Sequence, residues 1–191
     1  MNPFPVFERW YNDELLLTKD SIPSACCLST TGLDGFPNAR YVSLKEVSGD
    51  AFIVTGPYAS RKGQEISKSN RVALAFWWSQ TERQVRIQGT AAKIGDHLAD
   101  KYFSERTRDA QLVAWVSKQG MEINDLESLY HLFRKTGEQF AGQTILRPEN
   151  WGGYAINPVR IEFMEFSPTR FHNRKLYEQA NGTWTLKQLQ P

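Results

Sequence analysis

The chain has 191 residues, 40% hydrophobic and 23% charged, the ordinary range for one globular domain able to bury a core. Its formal net charge of +2 is too small to imply a nucleic-acid or membrane partner, and the basic residues are dispersed, so any anion-binding function must be local. Two adjacent cysteines, no zinc-ligand spacing, no charged-then-apolar leader and no apolar run of spanning length argue against a metal scaffold and a membrane anchor, leaving a cytoplasmic location as the default.

Phe4 to Leu17 carries Phe7, Trp10, Tyr11 and Leu15 at near-helical spacing and predicts an amphipathic N-terminal helix, ended by Ile22-Pro23. Ala25 to Thr30 reads as the first strand, whose alternation sends Cys26 and Cys27 to opposite faces and so disfavours a mutual disulfide. Turn formers fill Thr31 to Pro37, and Asn38 to Val47 follows as a strand with Arg40 and Lys45 on different faces. Ser48-Gly49-Asp50 turns into the strand Ala51 to Thr55, which delivers the chain to Ser60-Arg61-Lys62-Gly63-Gln64-Glu65. There a Ser and two cations open a short helix, whose unpaired N–H groups and positive dipole end suit an anion such as phosphate.

Arg71 to Trp78 is the next apolar strand, and Ser79 to Glu82 turns it into Arg83 to Ile94. So many strands on short turns predict an antiparallel meander closing into a barrel. His97 to Phe103 reads as helix, Thr107 or Asp109 caps a second helix through Trp115, and a third runs from about Asp125. Gly142 to Gly153 is expected to be loop. Strands at Val159 to Phe166 and Arg174 to Glu178 follow, with Asn181-Gly182 as a hairpin turn into Trp184 to Leu189. The expected class is mainly β with flanking helices (α+β), as a single domain over residues 1–191.

Arg40, Lys45, Arg61, Lys62, Arg106, Arg170 and Arg174 all fall at strand ends or helix starts. A solvated rim explains any one of them, but together they supply the two or three donors that each of about two phosphates needs. In an extended Arg170-Phe171-His172-Asn173-Arg174, alternation places Arg170, His172 and Arg174 on one face, where a histidine between two arginines is expected to orient a substrate or take a proton. Gln84 and Gln119 have amides able to donate and accept toward a flavin pyrimidine edge, and Trp77, Trp78 and Trp115 lie where a flat ring could rest. No Ser/His/Asp order, metal cluster, GxGxxG fingerprint or Walker loop is present, which disfavours hydrolases, metalloenzymes, Rossmann dehydrogenases and P-loop NTPases.

These residues resemble the pyridoxamine 5'-phosphate oxidase family, FMN-dependent enzymes with an antiparallel split β-barrel. The resemblance covers nearly the whole chain and is carried by Phe7-Glu8-Arg9-Trp10, Arg40 with Leu44-Lys45, Ser60-Arg61-Lys62, Glu82-Arg83-Gln84-Val85, Lys101-Tyr102-Phe103, Arg106 with Arg108-Asp109, Ala114 to Gln119, Trp151-Gly152-Gly153, and Arg170 with His172 and Arg174. It implies a homodimer with FMN at the subunit interface and a C-terminal dimerisation and substrate-closing segment at about 150–191. Arg40, Arg61 and Lys62 would hold the FMN phosphate, and Gln84, Gln119 and Arg174 would contact the flavin from the two subunits. Lys45, Thr55, Gly56, Gly120 and Met164 complete the cofactor positions. Lys45, Tyr102, Arg106 and Ala110 mark the substrate phosphate, with Arg170 and His172 closing over the substrate ring as the catalytic pair.

The implied reaction oxidises the 4'-carbon of pyridoxamine or pyridoxine 5'-phosphate by hydride transfer to flavin N5, and O₂ returns the flavin with release of hydrogen peroxide. The cofactor carries the chemistry, and the protein supplies position and charge. Four positions depart from the family pattern: Ala110 and Gly120 where Ser is usual, Met164 for Trp, and Gly56 for Thr. Two rivals follow from them: an oxidase of a reduced aromatic metabolite, as in phenazine biosynthesis, and a non-catalytic flavin- or vitamer-binding split-barrel protein.

Overall fold

The computed structural model describes all 191 residues, Met1 to Pro191. Its elements in chain order are α1 (Phe4–Leu17), β1 (Ala25–Thr31), β2 (Pro37–Ser48), β3 (Ala51–Pro57), α2 (Arg61–Lys68), β4 (Arg71–Trp78) and β5 (Arg83–Lys93). These are followed by α3 (Asp96–Ser104), α4 (Arg108–Val116), α5 (Leu126–Gln139), β6 (Trp151–Glu165), β7 (Asn173–Ala180) and β8 (Thr183–Leu189). The strands form an eight-stranded antiparallel sheet in the order β3-β2-β1-β4-β5-β6-β7-β8, and a further β3–β6 pairing closes β1 to β6 into a barrel. No helix is long and apolar enough to cross a membrane.

Alternating apolar residues on the strands point inward and pack with Phe4, Phe7 and Trp10 of α1 in one core. Phe7 on α1 has its ring 4.8 Å from that of Phe52 and 5.3 Å from that of Phe76, both edge-on. A second, smaller core lies outside the barrel wall, where Tyr102 and Phe103 of α3 and Leu112 of α4 pack on Ile53 of β3 and Trp151 of β6. The helices after β5 are thus anchored beside one stretch of the wall. Cys26 is buried, Cys27 is half-buried, and both are free thiols.

The barrel is not paired along its whole seam. β2 pairs with β1 through Pro37 to Ser43, but with β3 only from Leu44 to Ser48. On its other edge β3 pairs with β6 from Phe52 to Pro57, so Thr55, facing Gly153, and Pro57, facing Trp151, are held by β6 alone. The register shifts between Leu44 and Glu46, so Lys45 is the extra residue of a bulge, a device that bends a strand and increases its twist. Arg40 to Ser43 therefore diverge from Thr55 to Pro57, and a cleft opens between them.

Two expectations need correction. Trp151-Gly152-Gly153 is strand, not loop, so β6 begins at Trp151 and not at Val159. The glycines serve close approach rather than a turn: a Cβ on Gly152 would lie 2.1 Å from the Tyr58 hydroxyl, and one on Gly153 would lie 2.7 Å from the Val54 carbonyl oxygen. The segment before β7 is not extended, because Arg170 has φ of +67° and its N–H donates to Ser167 O, closing a turn. Arg170 therefore does not alternate with His172 and Arg174, and the single face expected for the three does not form. The other local signals hold, including Thr107 as the α4 cap and Asn181-Gly182, both at positive φ, as the β7–β8 turn.

Candidate functional site

Where β2 and β3 part, the cleft has a volume of about 640 Å³, and the N-terminus of α2 forms one wall. Ser60 caps that helix, its hydroxyl accepting from Gly63 N–H at 3.4 Å and donating to Pro57 O at 2.6 Å. Of the expected site residues, Arg40, Thr55, Gly56, Arg61, Lys62, Arg106, Gln119 and Gly120 line this cleft together. Arg40 comes from β2, Thr55 and Gly56 from β3, the next two cations from the first turn of α2, and the amide from the loop after α4.

The cations are held rather than splayed. Glu65, one turn along α2 from Arg61, has no solvent exposure and accepts four hydrogen bonds. They come from Thr30 Oγ1 at 2.6 Å, Asn38 Nδ2 at 2.8 Å, Arg40 Nη2 at 2.7 Å and Arg61 Nε at 2.7 Å. Burial alone raises a carboxyl pKa, but these four donors outweigh it and hold Glu65 at about 2. Arg40 also donates through Nη1 to Thr30 Oγ1 and Leu28 O. Lys62 crosses Gly56, where a Cβ would meet its Nζ at 3.0 Å, and donates to Gln119 Oε1 at 2.8 Å and Ser60 Oγ at 3.3 Å. Burial, then the charge of Arg40, lowers its pKa to about 8.

At the same cleft Arg106 lies over the Trp151 ring, 5.0 Å from its centroid, and its buried Nη1 has no hydrogen-bond partner. Burial lowers its pKa. A buried, unpaired guanidinium nitrogen beside an open cleft suits an incoming anion.

The remaining expected residues are placed differently. Lys45 does not line the cleft and pairs with Glu105 at 2.7 Å, 5.4 Å from the Tyr102 ring centroid. Tyr102 is 1% exposed, and its hydroxyl donates to Glu46. Burial, reinforced by that bond and by the charges of Glu46 and Glu105, raises its pKa. Ala110 lies in the first turn of α4, its N–H donating to Thr107 Oγ1, and it offers no side-chain donor.

Gln84, Met164 and Arg174 form one row across three strands, Gln84 opposite Met164 and Met164 opposite Arg174. Arg174 binds the buried Glu162 through Nε at 2.9 Å. Gln84 lines a smaller cleft of about 290 Å³ with exposed Trp77, and Tyr41 borders both clefts. Trp78 is buried, and Trp115 donates its indole N–H to Leu146 O. His172 sits under Phe166, its Nδ1 accepting from Ser167 N–H at 3.1 Å, while Arg170 and Phe171 are exposed.

Sequence reasoning missed the carboxylates. Glu65 is visible as an i,i+4 partner of Arg61, but its burial and its contacts with β1 and β2 are not. Nothing local marks Glu46 and Glu105 as partners of Tyr102 and Lys45.

Family models match most of the chain: one described as pyridoxamine 5'-phosphate oxidase over residues 21–141, and one described as pyridoxine 5'-phosphate oxidase C-terminal dimerisation region over residues 151–191. A pyridoxine/pyridoxamine 5'-phosphate oxidase of Nostoc punctiforme is 39% identical over 100% of this chain and 89% of its own length. The enzyme of that name from Flavobacterium johnsoniae is 38% identical over 98% of this chain and 88% of its own length. Among solved structures, PhzG of Burkholderia lata, crystallised with tetrahydrophenazine-1-carboxylic acid, superposes with a TM-score of 0.93 at 26% identity, covering 100% of this chain and 93% of its own.

Proposed function

This chain belongs to the pyridoxamine 5'-phosphate oxidase family, and from that premise we propose that it is an FMN-dependent oxidase. Its substrate in this reading is pyridoxamine or pyridoxine 5'-phosphate, oxidised to pyridoxal 5'-phosphate with O₂ reduced to hydrogen peroxide. The carrying observation is that one cleft is lined by two sets of anion donors: the α2 terminus with Arg40, Arg61 and Lys62, and the unpartnered Nη1 of Arg106 over Trp151. The first fits a cofactor phosphate and the second a substrate phosphate.

The donors fit FMN. Arg40, Arg61 and Lys62 bind its phosphate in this reading, and Gly56 leaves room for the lysine. When bound, FMN supplies the hydride-accepting ring and the route to O₂. Gln84, Met164 and Arg174 do not line the cleft with the cations, which supports a homodimer in which the second subunit brings its own row to the flavin. The match of residues 151–191 to a dimerisation region supports the same arrangement. Arg170 and His172, in the turn between β6 and β7, then close over the substrate, where Arg170 orients it and His172 holds or accepts a proton.

The test is spectroscopic. Purified protein is expected to be yellow, its flavin to bleach on anaerobic mixing with pyridoxine 5'-phosphate, and peroxide to appear on admitting air. Flavin-loaded protein that turns over neither vitamer sinks the proposal. Arg170→Ala is expected to lose most of that activity with FMN still bound.

One observation favours a second reading, an oxidase of a reduced aromatic ring system. Lys45 and Tyr102 are engaged by Glu105 and Glu46, and Ala110 lacks a hydroxyl, so of the four expected substrate-phosphate positions only Arg106 offers an unpartnered donor. The likeness to PhzG points the same way. Bleaching by a dihydro-aromatic acid but by neither vitamer decides for this reading.

A further inference from the structure

The reading of the cleft as a flavin phosphate site leaves unexplained why a wholly buried carboxylate stands behind its cations. A negative charge there repels a phosphate, so its presence needs another reason. Glu65 joins three elements: Thr30 of β1, Asn38 and Arg40 of β2, and Arg61 of α2 all donate to its two oxygens at 2.6 to 2.8 Å. One oxygen takes Arg40 and the other takes Arg61, so two like-charged guanidinium groups are fixed on opposite sides of one carboxylate. Thr30 and Asn38 fill the remaining acceptor positions, and the carboxylate cannot rotate without losing bonds on both sides.

We propose that Glu65 is a positioning residue that sets Arg40 and Arg61 for a phosphate monoester and thereby makes the cleft prefer FMN to unphosphorylated riboflavin. Glu65 does not touch the ligand and acts through the two arginines. Asp34 reaches Arg61 as well, at 3.3 Å, but from the exposed side and without contact to Arg40, so it cannot replace the bridge. The carboxylate is ionised throughout the neutral range, so the bridge persists wherever the phosphate is a dianion.

Charge and position predict opposite signs for its removal. If Glu65 acted only as a nearby charge, Glu65→Gln would tighten FMN binding. If it positions the arginines, the same variant weakens it. The full-length protein, freed of flavin, is titrated with FMN and with riboflavin by flavin fluorescence. The expected result is a loss of about tenfold in FMN affinity with riboflavin changed less than about twofold, and partial return of the FMN preference in Glu65→Asp. An unchanged or increased FMN preference overturns the proposal.

If Glu65→Gln does not fold, Asn38→Ala loosens the same carboxylate while leaving every charge in place. It is expected to lower the FMN preference about threefold, and no change there overturns the proposal equally. Wild-type protein that binds riboflavin as well as FMN would instead refute the phosphate reading of the cleft, and this inference with it.

Discussion

Glu65 pairs with two arginines that line the cleft, and Glu105 pairs with Lys45, which does not, in opposite surroundings. Glu65 has no solvent exposure and holds two arginines with two further donors, whereas Glu105 is 42% exposed and holds Lys45 alone. A buried carboxylate with every lone pair engaged is part of the framework, because moving it strands charge in a dry interior. An exposed ion pair binds its members weakly and exchanges readily for another anion. In the proposed reading the cofactor end is therefore preorganised, whereas at the substrate end a phosphate would meet the unpartnered Nη1 of Arg106 and reach Lys45 only by displacing Glu105.

The sharpest way to break the comparison is to remove the buried partner. Glu65→Ala is expected to lower folding stability by about 3 kcal/mol, since it leaves Arg40 facing Thr30 and the Leu28 carbonyl with no counter-charge. A denaturant titration in the absence of flavin measures it. Because the folded-state pKa lies below the ordinary carboxylate value, this contribution is complete above about pH 4.5 and is lost as pH falls toward 2. The gap between wild type and variant should accordingly close with acid.

Arg106 tests the substrate end. Its buried Nη1 has no partner, and a charged hydrogen bond to substrate phosphate is worth about 1.5 to 3 kcal/mol. Arg106→Ala is expected to raise KM for pyridoxine 5'-phosphate by about ten- to a hundredfold, with FMN affinity little changed. Equal loss of FMN affinity would merge the two anion positions into one.

Lys62 gives a smaller effect with a defined sign. Burial and Arg40 lower its pKa to about 8, and a bound phosphate favours the charged form. FMN affinity should then fall as pH rises through 8, by up to about tenfold at pH 9. Arg61 and Arg40 stay charged throughout that range and Glu65 stays ionised, so the slope belongs to Lys62. Lys62→Arg should flatten it, as read by flavin fluorescence between pH 7 and 9.

The cluster of cations at the α2 end of the cleft was legible in the sequence because its signals are local. Ser60 caps the helix that Arg61 and Lys62 open, and β2 and β3 form a short-range hairpin. What escaped depends on pairings between distant segments. Gly152 and Gly153 have the residue type of a turn, and only the approach of Tyr58 and Val54, brought by barrel closure, shows that they are strand. Glu65 reads as a solvated helix position until Thr30 and Asn38 fold over it. Alternation at Arg170 failed because a non-glycine residue at positive φ leaves no mark in a polar, exposed segment.

The smallest effect decides most about the substrate. If Lys45 awaits a phosphate and Glu105 only keeps it in place, Glu105→Ala should free Lys45 and lower KM for pyridoxine 5'-phosphate by a few-fold, as expected for an exposed pair. Raising the salt concentration should shrink the difference between wild type and variant, because salt screens the pair and the incoming phosphate alike. If Glu105 and Glu46 instead line a site for a ring system without phosphate, the same substitution should leave activity on a reduced aromatic acid intact or lower it, and vitamer turnover should stay absent. The two outcomes differ in sign as well as size, so a few-fold change suffices to tell a displaceable counter-ion from a lining carboxylate.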